Sequence, residues 1–191
     1  MHPALILAGG ASKRMGRNKA TMIVDGSPMI VSVAHALRDA GCKTMLVAAR
    51  DGFQRREIMG ALSHLTDVRC ILDNDLQRSA KSGLRSALRE CTEMGIERIQ
   101  LAPCDMPWVR PQVFERLREG GAPVMMPKGE HLQPLLSLVE VEVVLAALER
   151  AEMRASLKNI LRSVPCQIIE FSDKVGFRNV NSLNDMGSWK S

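Results

Sequence analysis

The stretch from Ala4 to Lys19 constrains this chain more than any other. An apolar run, Ala4 to Ala8, breaks at Gly9-Gly10, and four cations follow within seven residues: Lys13, Arg14, Arg17 and Lys19. A short apolar run ended by glycines reads as a buried strand. Glycine lets backbone N–H groups turn toward a ligand as no residue with a Cβ permits so freely. A concavity of N–H dipoles attracts anions, and lysines and arginines add full charges to it. The triphosphate of a nucleotide is the ligand that suits this combination best. Two familiar phosphate motifs are excluded. Five residues separate Gly10 from Gly16 and Arg17 follows, which breaks the Walker A spacing, and the dinucleotide fingerprint G-x-G-x-x-G is absent.

Beyond that stretch, strand-like and helix-like patterns alternate, which predicts βαβ units, a largely parallel sheet and one α/β domain over residues 1–191. Ala20 to Val24 reads as a short strand closed by the Asp25-Gly26 turn. Ser27 is the expected N-cap of a helix opened by Pro28 and ended at Gly41. Strands are expected at 44–49, 68–72, 98–102, 123–126, 135–139 and 166–171. Helices are expected at 51–62, over the stretch that carries Arg78 to Arg89, from Pro111, and near 141–153 and 156–163, with a short C-terminal helix capped by Ser182. Arg78, Lys81, Arg85 and Arg89 share one helix face, for which a solvated surface is the simpler reading and an anion-binding surface the other.

Composition narrows the classes of function. The net charge of +5 would suit nucleic acid, but aromatics are only 3% of the chain and no five-residue basic block occurs. The positive balance is therefore read as serving a small polyanion, with no nucleic-acid partner. Five scattered cysteines form no C-x-x-C pair, so neither a zinc site nor a disulfide framework is indicated. Reduced thiols, no signal-like N-terminus and no run of membrane-spanning length lead to the expectation of a soluble, cytoplasmic protein without a membrane partner.

Ligands of open α/β sheets bind beyond the carboxyl ends of the strands. The glycine stretch, Asp73 with Asp75, and Asp105 should therefore share a crevice. A triphosphate needs a divalent cation, and Mg²⁺ takes one or two carboxylates together with phosphate oxygens and water. Asp105, between Pro103 and Pro107, is the better ligand candidate of the set, against the simpler role of a helix-capping aspartate.

Leu7-Ala8-Gly9-Gly10-Ala11-Ser12-Lys13-Arg14-Met15-Gly16-Arg17-Asn18-Lys19 resembles the L-A-G-G-x-S-x-R-M-G-x-x-K signature of the nucleotidyltransferase superfamily. Cys104-Asp105-Met106-Pro107 resembles the C-D-x-P loop of molybdenum cofactor guanylyltransferases. Phe177-x-Asn179-Val180-Asn181-Ser182 resembles that family's F-x-N-V-N-T element, and Gln133-Pro134 is similar to its H-P segment with His131 displaced by two positions. The resemblance implies a three-layer α/β/α, Rossmann-like nucleotidyltransferase fold. It also implies Mg²⁺-dependent transfer of GMP from GTP to the phosphate of molybdopterin or Mo-molybdopterin, with pyrophosphate released.

In that scheme Leu7, Ala8, Gly9 and Gly10 line the nucleotide pocket. Lys19 contacts the triphosphate, Asp73 the nucleotide, and Asp105 both nucleotide and Mg²⁺. Arg14 joins Lys19 and Asp105 in catalysis, and Asn179 and Asn181 fall on the pterin side. Proteins that deliver molybdopterin or mature molybdoenzymes are the implied partners. Ala80-Lys81-Ser82-Gly83-Leu84 looks more like the S-L-x-x-G region of molybdopterin cytidylyltransferases, and the family's asparagine after the second strand is Ala49 or Arg50 here. Cytidylyl transfer to molybdopterin, or guanylyl transfer to a cobamide precursor, therefore stands as the alternative.

Overall fold

The computed structural model describes residues 2–8, 18–72, 79–172, 175–181 and 185. In chain order it contains β1 (Ala4–Leu7), a 3-10 turn (Lys19–Thr21), the short strands β2 (Ile23–Val24) and β3 (Ser27–Pro28), and α1 (Met29–Asp39). Next come β4 (Met45–Ala49), α2 (Gly52–Ala61), β5 (Val68–Leu72), α3 (Ala80–Glu93), β6 (Arg98–Pro103) and α4 (Pro111–Leu117). The chain continues with β7 (Val124–Lys128), a second 3-10 turn (Pro134–Leu136), β8 (Leu138–Glu140), α5 (Val141–Arg150), α6 (Leu157–Arg162) and β9 (Cys166–Glu170).

Alternation along the central strands creates two cores. Ala4 and Ile6 of β1, Met45, Val47 and Ala49 of β4, and Ala102 of β6 pack against α1, α2 and α4. Leu5, Leu46, Ala48, Ile99 and Leu101, on the opposite face, pack against α3, α5 and α6. A strand covered on both sides must be apolar throughout, which is why all five residues of β4 are buried. The result is the three-layer α/β/α arrangement expected from sequence. Phe114 is among the largest fully buried side chains and nearly alone there as an aromatic, so Leu, Ile, Val and Met fill both cores.

The seven-stranded sheet has the order β5-β4-β1-β6-β8-β7-β9. β5, β4, β1 and β6 are mutually parallel, β8 runs antiparallel to β6 and β7, and β7 pairs with β9 in parallel. From β1 the chain builds outward to β4 and β5, then returns through α3 to place β6 on the other side of β1. The strand order therefore reverses between β1 and β6, the position at which open α/β sheets take their ligands.

Four local expectations are corrected. Ala20–Val24 is not one strand: Asn18 caps the 3-10 turn Lys19–Thr21, and only Ile23–Val24 pairs, antiparallel with Ser27–Pro28. Asp25 and Gly26 both have positive φ, 50° and 81°, the two-residue turn that matches strand twist and that a D-G pair favours. Ser27 is consequently held in β3 and is not the cap of α1, whose first flanking residue is Pro28. Residues 135–139 divide into a 3-10 turn and β8 because Pro134 opens the turn. The helix expected to Met153 ends at Arg150, with Ala151 extended. Ser182 and the helix it was expected to cap lie outside the described residues.

The basic face of α3 ties helices together. Arg89 pairs with Glu149 of α5 at 2.8 Å, and Lys81 donates to the carbonyls of Glu152 and Met153 at 3.1 and 2.7 Å. The Arg89 pair is about half exposed, so it contributes little to stability. The N-terminus of α3 is better secured: Ser79 Oγ accepts from the Ser82 backbone N–H, and Ser82 Oγ accepts from that of Ser79. Ser79→Ala should destabilise the protein by about 1 kcal/mol in urea denaturation, and Ser79→Asp should retain most of the wild-type stability.

Candidate active site

The last rung between β1 and β6 is the Cys104 N–H donating to the Leu7 carbonyl at 3.2 Å. It sets Ala8 and Asp105 at the same edge of the sheet, at the reversal of strand order. Lys19 reaches this edge from the first residue of its 3-10 turn. Its ammonium donates to Asp105 Oδ2 at 2.8 Å and to Asn181 Oδ1 at 3.0 Å. Three of the residues singled out from sequence thus meet around one nitrogen. The Lys19 and Asp105 side chains are 18% and 23% exposed, shielded enough for strong electrostatics yet open to a solute.

Asn181 is brought there by its neighbours. The N–H of the fully buried Val180 donates to the Asp105 carbonyl at 2.9 Å. Val180 packs with Val24, Met29, Met22 and Trp108 in a small core of its own. Phe177 is buried close against Gly129, where a Cβ would approach its ring to 3.1 Å. The Asn181 N–H donates to Asp185 Oδ2 at 2.7 Å. Trp108 Nε1 donates to Asp25 Oδ2 at 2.7 Å, which ties the β2–β3 hairpin to the segment that carries Asp105.

The other sequence candidates fall differently. Leu7 is half-buried at the end of β1 and Ala8 is buried directly after it. Asn179 is exposed, one residue before buried Val180. Gly9, Gly10, Arg14 and Asp73 lie outside the described residues. Gln133-Pro134 opens the second 3-10 turn, where the Gln133 N–H donates to the Pro127 carbonyl at 3.0 Å.

Sequence reasoning missed Gln54 and gave Asn18 no role. Gln54, 2% exposed, donates through Nε2 to the Ala8 carbonyl at 2.9 Å and to Asn18 Oδ1 at 3.1 Å. Its Oε1 accepts from the Arg50 N–H at 2.7 Å. The Asp51 side chain caps α2 by accepting from the Gln54 N–H at 2.8 Å, and this bond, followed by the one from Arg50, holds the Asp51 carboxyl below its usual pKa. The D-x-x-Q spacing of Asp51 and Gln54 was the available signal, since a glutamine there ordinarily folds back onto the cap.

Cys104 is the thiol nearest the site. Burial, assisted by the neighbouring Asp105 charge, pushes it up to about 12, so it is a neutral thiol at physiological pH. Cys91 is likewise pushed up to about 12, chiefly by burial. All five cysteines are free. The candidate site therefore offers a cation, a carboxylate and amide oxygens, with the thiol held out of nucleophilic chemistry.

The MobA-like NTP transferase domain matches residues 4–168. The chain is 32% identical to a protein of Haloferax mediterranei named "Probable molybdenum cofactor guanylyltransferase", over 98% of this chain and 92% of that one. This chain belongs to the MobA-like NTP transferase family. Solved structures agree on the fold. A molybdopterin-guanine dinucleotide biosynthesis protein A from Archaeoglobus fulgidus has a TM-score of 0.71 at 24% identity, over 96% of this chain and 94% of that one. A nucleotidyl transferase from Methanothermobacter has a TM-score of 0.78 at 20% identity, over 97% and 94%. As an NTP transferase of this family the chain is a nucleotide-transferring enzyme. No helix among the described residues is long and apolar enough to cross a membrane.

Cysteine chemistry gives a direct check on the site. At pH 8 a thiol reagent should leave Cys91 and Cys104 unmodified in the folded protein, because raised pKa values keep them protonated. Unfolding should expose all five thiols, as peptide mapping after labelling would show.

Proposed function

We propose that this chain transfers GMP from GTP to the terminal phosphate of molybdopterin, giving the guanine dinucleotide cofactor and pyrophosphate. One observation carries the reading: Lys19, Asp105 and Asn181 converge at the β1–β6 reversal in a chain of this family. The base and acceptor follow the name of the relative from Haloferax mediterranei. In the reaction a phosphate oxygen of molybdopterin forms a bond to the α-phosphorus of GTP. The bond from that phosphorus to the bridging oxygen of the β-phosphate breaks, and pyrophosphate leaves with the electron pair.

A phosphate monoester is already an anionic nucleophile, so no general base has to generate it. The protein's work is positioning and neutralisation of charge. Lys19 would turn its ammonium toward the triphosphate from its present partners, and Arg14 would add a second cation. Leu7, Ala8, Gly9, Gly10 and Asp73 would hold the nucleotide. Asn181 would couple the acceptor side to Lys19, with Asn179 beside it on the pterin.

The donor set at Asp105 fits Mg²⁺. It is a hard carboxylate at a position open to solutes, and Mg²⁺ takes one or two such groups with phosphate oxygens and water completing its shell. Among the described residues no group of three or more His, Cys, Asp or Glu could form an all-protein cage. A bound Mg²⁺ would supply Lewis-acid neutralisation of the phosphate oxygens. GTP and molybdopterin are the small-molecule partners in this reading, with molybdopterin-delivering proteins upstream and molybdoenzyme-maturation proteins downstream, in the cytoplasm.

Calorimetric titration with GTP, CTP and ATP, each with Mg²⁺, tests the base. Preference for GTP is expected; preference for CTP would move the assignment to cytidylyl transfer, and failure to bind any triphosphate would overturn it. Asp105→Asn should lower kcat about 100-fold or more while nucleotide affinity changes far less. Lys19→Ala should weaken GTP binding more than guanosine binding. Equal losses for both ligands would remove Lys19 from the phosphate site.

A further inference from the structure

Gln54 lies on α2, outside the ring of residues that meet at Lys19, yet its side-chain amide gathers three separate pieces of chain. Nε2 takes the Ala8 carbonyl and Asn18 Oδ1, and Oε1 takes the Arg50 N–H. Ala8 and Asn18 are the residues immediately before and after 9–17, the segment with both glycines of the pair and three of the four clustered cations. Lys19 follows Asn18 directly.

The orientation of this amide is determined by its partners. Turning it over would set oxygen against the Ala8 carbonyl and NH₂ against the Arg50 N–H, losing every bond. Asn18 is fixed in the same way, since its oxygen accepts from both Gln54 Nε2 and the Ala20 N–H at 3.3 Å. In that orientation Asn18 Nδ2 is buried with no hydrogen-bond partner among the described residues. A buried donor left unpaired is unfavourable and calls for an explanation. Holding both Gln54 and the 3-10 turn that carries Lys19 supplies one. Gln54, for its part, makes no return bond to its own cap residue and directs both N–H groups to the other elements.

We propose that Gln54 is a positioning residue for nucleotide transfer: by holding Ala8 and Asn18 on one amide, it seats Lys19, the residue after Asn18, opposite Asp105. The proposal rests on the reading of Lys19 as a triphosphate contact. Such a device acts on the phosphates and not on the base. It holds the Lys19 ammonium in place ahead of binding, so a triphosphate gains more from it than a ligand with one phosphate.

The test compares GTP with GMP, both with Mg²⁺, by calorimetry on the full-length protein below its melting temperature. Gln54→Met preserves volume and removes all three bonds. It should cut the ratio of GTP to GMP affinity about tenfold, as expected for the loss of coupled buried hydrogen bonds. Loss of overall stability alone would leave that ratio unchanged. Asn18→Ser provides a second route, because serine can still cap the 3-10 turn but does not reach Gln54. It should lower the same ratio, and the double variant should lose no more than Gln54→Met alone.

An unchanged ratio in both single variants overturns the role of Gln54 while leaving the nucleotide site intact. Additive losses in the double variant would also overturn it, since the two residues would then act separately. Failure of the wild-type protein to bind GTP overturns the underlying function and this proposal with it.

Discussion

The rung from the Cys104 N–H to the Leu7 carbonyl is where the architecture sets up the candidate site. Parallel strands buried on both faces can be joined only by crossovers, and the sequence of those crossovers makes the strand order reverse between β1 and β6. At a reversal no crossover covers the strand ends, so the sheet opens a crevice at its carboxyl edge. Asp105 leaves β6 at that edge and Ala8 leaves β1. The Lys19 ammonium and the Val180 N–H both bond to Asp105, which is placed there by β6.

Electrostatics and packing divide the work around Asp105. The small core of Val24, Met29 and Val180, with Met22 and Trp108 against it, supplies a rigid wall beneath the polar groups. Above it, Lys19, Asp105 and Asn181 satisfy one another with two hydrogen bonds of 2.8 and 3.0 Å. A cation held between an anion and a neutral amide can exchange partners at modest cost, because the amide oxygen remains when the carboxylate is engaged elsewhere. Cys104, one residue away and buried, keeps its proton and adds no competing charge.

The layers were legible from sequence because apolar runs and their breaks carry that information directly. Ala4–Ala8 and residues 44–49 are near-continuous apolar runs, and each became a central strand, while 98–102 carries Arg98 and Gln100 among its apolar residues and became the third. Boundaries failed where a polar side chain decided them: Asn18 turned residues 19–21 into a 3-10 turn, and the Asp25-Gly26 turn drew Ser27 into a hairpin. At the site, Lys19, Asp105 and Asn181 could be named because charge and motif spacing mark them. Gln54 could not, because its partners are the backbone atoms of Ala8 and Arg50 and the side chain of Asn18, 36 residues away. A spacing rule ties a glutamine to its own helix and is silent about a carbonyl on a distant strand.

The hydrogen bond between Lys19 and Asn181 joins residues 162 positions apart. β1, β4, β5 and β6 all lie within the first 103 residues, so their mutual pairings use nothing of the segment that carries Asn181. The polar cluster closes only when Phe177 and Val180 dock beneath it. Closing that cluster depends on contacts of wide sequence separation, which are entropically the most costly to form. A chain truncated before Phe177 would keep the residues of all seven strands of the sheet and lose the Val180 and Asn181 contacts that complete the cluster around Lys19.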